Sequence, residues 1–167
     1  EGAGHDEVGA PASAHESALL KVVQQGGQRV PATIDIKEDK NGFMWFATQG
    51  GGIIKYNVAT KRFKIYRHSK KQGSIPSDQV NCIHIGENAQ ILIATSTGVC
   101  RYDQQTDTFN PIPFNTDITD VGSIIEDQGI LWISTTHGII RYVKGEGEQL
   151  FNRYDGLSRS EERRVGK

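Results

Sequence analysis

Hydrophobic positions along the chain come in short runs, cut at frequent intervals by Gly, Asn, Asp, Ser and Thr. In the middle of the sequence the runs fall at about Val80–Ile85, Ile91–Thr95, Val99–Tyr102 and Thr108–Ile112. Runs of this length, bounded by turn-forming residues, read as β-strands. No stretch of the repeated region has the 3.6-residue periodicity of an amphipathic helix, which excludes a helical solenoid. Segments such as Ile91-Leu92-Ile93-Ala94 are apolar at consecutive positions, so both faces of the strand are expected to be covered.

The strand pattern recurs three times. The first unit runs from Ile36-Lys37-Glu38-Asp39 through Gly42, Trp45, Thr48 and Gly52-Ile53-Ile54-Lys55-Tyr56 to Phe63 and Tyr66. The third runs from Ile124-Ile125-Glu126-Asp127 through Gly129, Trp132, Thr135 and Gly138-Ile139-Ile140-Arg141-Tyr142 to Phe151 and Tyr154. The middle unit is looser: Ile83, Leu92, Thr95, Gly98-Val99-Cys100-Arg101-Tyr102 and Phe109 take the matching places. Tyr56, Tyr102 and Tyr142 are 46 and 40 residues apart, and Gly50-Gly51-Gly52 carries one residue more than Thr97-Gly98. A period of about 40–45 residues with four strands per period predicts a β-propeller, each unit one blade. Turn chemistry agrees. Lys40-Asn41-Gly42 supplies the positive φ of a hairpin, and Asn57 and Asp103 each precede a Thr by three residues, an arrangement in which the side chain starts the turn.

The run Glu38-Asp39-Lys40-Asn41-Gly42-Phe43-Met44-Trp45-Phe46-Ala47-Thr48, followed by Gly51-Gly52-Ile53 and Lys55-Tyr56-Asn57, resembles the two-component regulator propeller repeat. Glu126-Asp127 to Thr135 with Gly138 to Tyr142 resembles it again, as does the link Gly73-Ser74-Ile75-Pro76-Ser77-Asp78-Gln79-Val80. The resemblance covers roughly residues 32–157. It implies the extracytoplasmic, periplasmic sensor domain of a hybrid two-component histidine kinase of the Bacteroidetes type, with an oligosaccharide as ligand. The middle unit departs from the pattern, with Gly86-Glu87-Asn88-Ala89-Gln90 where the family has Glu-Asp-x-x-Gly, and without the Trp.

Charge and composition narrow the functional classes. The net charge is −1 and no basic block precedes the C-terminus, so there is no electrostatic footprint for nucleic acid. No apolar run approaches the roughly 18 residues of a membrane helix; any membrane attachment is expected through segments downstream. Residues 1–30 lie outside the repeat. Ser13-Ala14-His15-Glu16 has capping-box spacing, and Ala18, Leu19, Val22 and Val23 share one helical face, which predicts a short helix over about 14–25. The end of the chain, Arg159-Ser160-Glu161-Glu162-Arg163-Arg164-Val165-Gly166-Lys167, reads as a translated sequencing adapter, with residues 158–167 an artefactual or disordered tail. Removing its four cations and two anions takes the net charge from −1 to −3.

Each residue with chemical potential has a structural reading beside its functional one. Trp45 and Trp132 could stack sugars, but they recur at one repeat position and read as packing residues, as do Tyr56, Tyr102 and Tyr142. Asp39, Asn41 and Asp127 are expected to form turns, since a calcium cage needs six or more oxygens. The pairs Glu38-Asp39 and Glu126-Asp127 point to opposite faces of a strand, poor geometry for acid–base work. His84, His68 and His137 fall in different places of the repeat, no Gly-x-Ser-x-Gly motif is present, and Arg67 to Lys71 reads as a solvated loop. Cys82 and Cys100 lie on the first and third strands of one blade, too far apart for a disulfide, and are expected to be buried free thiols.

The expectation is therefore an all-β chain: a partial β-propeller of three four-stranded antiparallel blades (about 31–70, 78–114 and 119–155) behind a short N-terminal helix. It is expected to lack catalytic residues, cofactors and metal, and no ligand-binding residue can be nominated. Its expected partners are the remaining blades, an oligosaccharide, and a second copy in a full-length homodimer. Other classes for such a propeller are a carbohydrate-active lyase, as its accessory or catalytic domain, and a protein-interaction propeller. Three blades cannot close a ring, so the outermost faces should be sticky and the isolated chain marginally stable.

Overall fold

The computed structural model describes residues 31–152; the helix expected over 14–25 and the tail from 158 lie outside the described residues. Twelve strands form three four-stranded antiparallel sheets. The first holds β1 (Thr33–Glu38), β2 (Phe43–Thr48), β3 (Gly52–Asn57) and β4 (Arg62–Tyr66). The second holds β5 (Val80–Ile85), β6 (Ile91–Thr95), β7 (Gly98–Asp103) and β8 (Thr108–Pro111). The third holds β9 (Ser123–Asp127), β10 (Ile130–Thr135), β11 (Gly138–Val143) and β12 (Gly147–Phe151). Within each sheet, order in space follows order in sequence, so each is a meander and the chain is a partial propeller of three blades.

The recurrent residues pin the turns. Thr48, Thr95 and Thr135 close each β2–β3-type turn by donating their hydroxyls to the carbonyls of Gly52, Gly98 and Gly138, at 2.7, 2.9 and 3.0 Å. Gly52 and Gly138 sit where a Cβ would lie 2.1 Å from the carbonyl oxygen of Tyr66 and of Phe151, so the outermost strand leaves its blade only past a glycine. Asp39 organises the first hairpin: Oδ1 accepts from the amides of Asn41 and Phe43, and Oδ2 from the Trp45 indole at 2.8 Å. Asn57 and Asp103 accept from backbone amides in their turns, at 2.9 Å from Thr60 and Gln105.

Alternation along each strand gives every blade a trailing face, toward the previous blade, and a leading face, toward the next. Trp45, Ala47 and Ile53 lead from blade 1 onto Ile83, Ile91, Ile93, Cys100, Tyr102 and Phe109 of blade 2. Leu92, Ala94 and Val99 lead from blade 2 onto Ile124, Leu131, Ile133 and Ile140 of blade 3. All five residues of β6 are buried, as a strand covered on both faces requires. Fully burying each of the larger ones, Ile91, Leu92 and Ile93, stabilises the stack by about 1.5–3 kcal/mol. The two thiols pair in register with Ala94 and Ile93, on opposite faces of blade 2. Both are free; Cys100 is buried, whereas Cys82, on the edge strand β5, is only partly so.

Candidate functional site

Two long connections carry the chain from the outermost strand of one blade to the first strand of the next, residues 67–79 and 112–122. Each is nailed to a core by aliphatic side chains: Ile75 in the first, Ile112, Ile118 and Val121 in the second. The first is further ordered from within. Asp78 accepts from the His68 amide at 2.6 Å, the His68 ring bonds the Ile75 carbonyl at 2.9 Å, and Ser74 donates to the Ser69 carbonyl at 2.7 Å. Gly73 offers its carbonyl to the Phe109 amide at 2.8 Å, which ties the loop to β8. In the second connection Glu148 of β12 reaches over to accept from the amides of Asn115 and Thr116, and Asn81 donates to the Val121 carbonyl at 2.9 Å.

Between these connections and the β6–β7 turn lies a cleft of about 580 Å³. Its floor is apolar: Ile75, Val99, Ile112 and Ile118. Its rim is mixed, with His68, Lys71, Gln72, Asn115 and Asp117 around the half-buried ring of Phe114. A concave apolar floor with a few convergent polar groups is the usual form of a small-molecule site. Cations and anions on the rim nearly balance, so the cleft suits an uncharged polar ligand.

A second polar cluster sits between blades 1 and 2. Asp107, at φ 55° in the β7–β8 turn, accepts from Lys64, from Tyr66 at 2.6 Å and from Tyr102 at 2.6 Å. Lys55 donates to the Tyr102 hydroxyl at 2.9 Å and lies 4.3, 5.1 and 4.9 Å from the ring centres of Phe43, Trp45 and Tyr102. Burial lowers the Lys55 pKa, against the attraction of Asp107 and Asp39. Burial also pushes the Asp107 carboxyl up, but the bonds from Lys64, Tyr102 and Tyr66 outweigh it and hold it at about 2. Desolvation first, and Asp107 second, raise Tyr102 to about 12 and Tyr66 further. Both phenols therefore stay protonated donors. Every polar group here is spent on joining two blades, so the cluster is an inter-blade latch.

At the inner edge of blades 2 and 3, His84 Nε2 lies 3.6 Å from Glu126 Oε2, buried and without a hydrogen-bond partner. Gly86 leaves room for that carboxylate, since a Cβ there would lie 2.0 Å from Glu126 Oε2. Among the described residues no group of three or more His, Cys, Asp or Glu could hold a metal ion.

The structure disperses the residues singled out in the sequence. Trp45 is fully buried and Trp132 only half-buried. Tyr56 and Tyr102 are buried and Tyr142 partly so, stacked 5.2 Å from Phe114. His137 is exposed in the β10–β11 turn. Arg67 to Lys71 is exposed, as a solvated loop should be, although His68 also forms part of the cleft. Sequence reasoning missed the cleft and the Lys64–Asp107 pair. The one available signal was the cation repeated beside the Trp place, at Lys55, Arg101 and Arg141.

No protein-family model matches the sequence, and no curated protein matches it. Solved structures do. The extracellular domain of the hybrid two component system BT4673 from B. thetaiotaomicron is similar at TM-score 0.62 and 19% identity, over 77% of this chain and 18% of that one. The corresponding domain of BT3049 is similar at TM-score 0.59 and 17% identity, over 73% of this chain and 25% of that one. An auxiliary nutrient binding protein from Bacteroides ovatus is similar at TM-score 0.51 and 15% identity, over 72% of this chain and 31% of that one. The chain thus spans less than a third of each of these proteins. The likeness is one of fold: the described residues are propeller blades of the kind that build the extracellular domains of Bacteroides hybrid two component systems.

Proposed function

We propose that this chain is a non-catalytic part of the extracytoplasmic, periplasmic sensor propeller of a hybrid two-component histidine kinase, and that it helps to bind a neutral oligosaccharide. The observation that carries the reading is the 580 Å³ cleft, apolar below and polar at its rim. A pyranose offers an apolar face to a ring such as Phe114 and hydroxyls to planar side chains such as Gln72, Asn115 and Asp117. The resemblance of the repeat and the likeness to extracellular domains of hybrid two component systems support the location. Further blades and a second copy of the full-length protein complete the sensor in this reading. Because both connections border the cleft, a ligand that touches 67–79 and 112–122 together favours one placement of blade 2 against its neighbours. It shifts that equilibrium only by the difference in its affinity for the two placements.

The test is titration calorimetry of the chain with a panel of neutral oligosaccharides, repeated with Phe114→Ala and Asn115→Ala. Saturable binding that each substitution weakens at least about tenfold, about 1.4 kcal/mol, is the expected result. Binding that ignores both substitutions, or no binding by a folded chain that includes the neighbouring blades, overturns the assignment of the cleft.

A further inference from the structure

We propose that a notch between the β3–β4 and β7–β8 turns, where blades 1 and 2 meet, binds a small organic anion: a carboxylate carried on a flat ring. The notch shares no residue with the cleft. It lies at the Asp103 end of β7 and the cleft at the Gly98 end. Neither the cleft nor an oligosaccharide enters into it, so the notch and the sensing reading can fail separately.

Alternation along β2, β3 and β4 sends Phe43, Lys55, Arg62 and Lys64 to the leading face of blade 1, while Met44, Tyr56 and Phe63 go to the other. Lys55 stands directly opposite Lys64, and Arg62 is the next residue of β4 on that face. Opposite residues on one face of a sheet are about 5 Å apart and diagonal ones about 7–8 Å. Three cations therefore rise from one small patch, and like charges set so close destabilise a sheet. The blade repeat does not ask for them. The places of Lys55, Lys64 and Arg62 are held by Arg101, Asn110 and Thr108 in blade 2, and by Arg141, Gln149 and Gly147 in blade 3. The first cation recurs; among the described blades the other two belong to blade 1 alone.

A single carboxylate comes to meet the three. Asp107 takes Lys64 and both phenols. The latch uses one of the three N–H bonds of Lys55, toward the Tyr102 hydroxyl; its other contacts are the rings of Phe43, Trp45 and Tyr102. Arg62 is exposed and makes no ion pair among the described residues. Three cations against one carboxylate leave an excess of two positive charges around a pocket of about 430 Å³, a size usual for small-molecule sites. Burial lowers the Lys55 pKa and Lys64 adds to the fall, against Asp107 and Asp39; a bound anion would reverse it. The walls select the kind of anion. A guanidinium sets two N–H bonds side by side, which matches the two oxygens of a carboxylate, and Lys55 adds a point charge. Phe43 offers a flat apolar partner that a bare inorganic ion cannot use, and Asp107 repels a dianion more than a monoanion.

The test is an NMR titration of the chain with benzoate, followed at the backbone amides of Lys55, Arg62 and Lys64, with benzamide and inorganic phosphate as comparisons. Benzoate gives saturable shifts that added salt weakens, and benzamide and phosphate each bind at least about tenfold more weakly. Arg62→Gln lowers the affinity for benzoate at least about tenfold and leaves the fold intact, because that side chain is exposed and makes no ion pair among the described residues. Lys55→Met, which keeps the apolar stem, lowers it likewise; if that variant unfolds, Arg62→Gln decides alone. Lys144→Gln, at an exposed cation of blade 3, changes nothing. Benzoate binding that Arg62→Gln leaves untouched overturns the proposal. So does equal binding of benzamide, which would make the notch an apolar pocket, or of phosphate, which would leave the ring without a role. Shifts that never saturate overturn it as well, since benzoate would then be an adventitious ion only. Shifts confined to the amides around Phe114 and Asn115 would move the anion to the cleft and equally overturn it.

Discussion

Replacing Asp107 by asparagine keeps the shape of the β7–β8 turn, because asparagine tolerates its φ of 55°, and removes the charge at the centre of the latch between blades 1 and 2. The carboxylate accepts from Lys64, Tyr66 and Tyr102 and titrates at about 2 instead of 3.8. Each unit of such a shift corresponds to about 1.4 kcal/mol. The side chain is 38% exposed, so solvent screening reduces the charge contribution to about 1 kcal/mol. Its sign follows from the direction of the shift. The folded protein binds the proton less tightly than the unfolded chain, so the contribution is complete above pH 3.8 and is lost as pH falls through about 2. Urea unfolding of the chain and of Asp107→Asn should differ by about 1 kcal/mol at pH 7 and converge near pH 2. Asp107→Ala should cost about 2–3 kcal/mol at pH 7, since two phenols lose their acceptor and alanine is strained in the left-handed region. A gap between chain and Asn variant that is the same at pH 7 and pH 2.5 would refute the account, because the latch would then act by shape and not by charge.

The remaining expectations are local. Gly138→Ala sets a Cβ 2.1 Å from the Phe151 carbonyl oxygen and should lower stability by about 2 kcal/mol or more, read as a fall in urea midpoint at unchanged slope. Thr95→Val removes the hydroxyl that holds the Gly98 carbonyl and should cost about 1 kcal/mol by the same assay. Burial pushes the thiols of Cys82 and Cys100 up to about 11 and about 12. At pH 8 neither should react with a thiol reagent until the chain unfolds, and a fast native phase would contradict that placement.

Most of the blade architecture was legible in the sequence because it is written in local terms. A strand covered on both faces must be apolar at consecutive positions, and Ile91-Leu92-Ile93-Ala94 says so directly. The Thr that recurs before Gly bonds across its own turn, within the reach of sequence reasoning. The cleft and the latch were not legible, for one reason: their parts are far apart in the chain. Lys64 meets Asp107 across 43 residues, and Lys55 meets Tyr102 across 47. Blade repeats fix which strand each residue sits on, but not which blade's turn comes to rest against it. Trp45 and Trp132 show the same limit. They are identical in repeat position and differ in burial because one has a neighbour on its leading face and the other does not among the described residues.

The two interfaces meet one packing requirement with different polar chemistry, and the difference bears on how blades keep their order. Every blade presents broad apolar faces, which give strength but less choice of partner than polar groups do. Choice falls to the polar groups set into them. Between blades 1 and 2 these are Lys64, Asp107 and two tyrosines; between blades 2 and 3 they are Asn81 with the Val121 carbonyl and Glu148 with two amides. An out-of-order pairing would strand these groups. Blade 1 has Lys61 where blade 2 has Asp107, both at positive φ, so it would bring a cation to Lys64 if it took the place of blade 2. Blade 3 has Glu148 where blade 2 has Phe109, which would push a carboxylate against the ring of Tyr66. Leaving a buried polar group without a partner costs about 1–3 kcal/mol; the part-buried Tyr66, Tyr102 and Asn81 bear a share of that cost, whereas the exposed Lys64 and Asn115 turn to water. The part-buried groups of each interface therefore bias against a wrong neighbour that the apolar faces alone would accept.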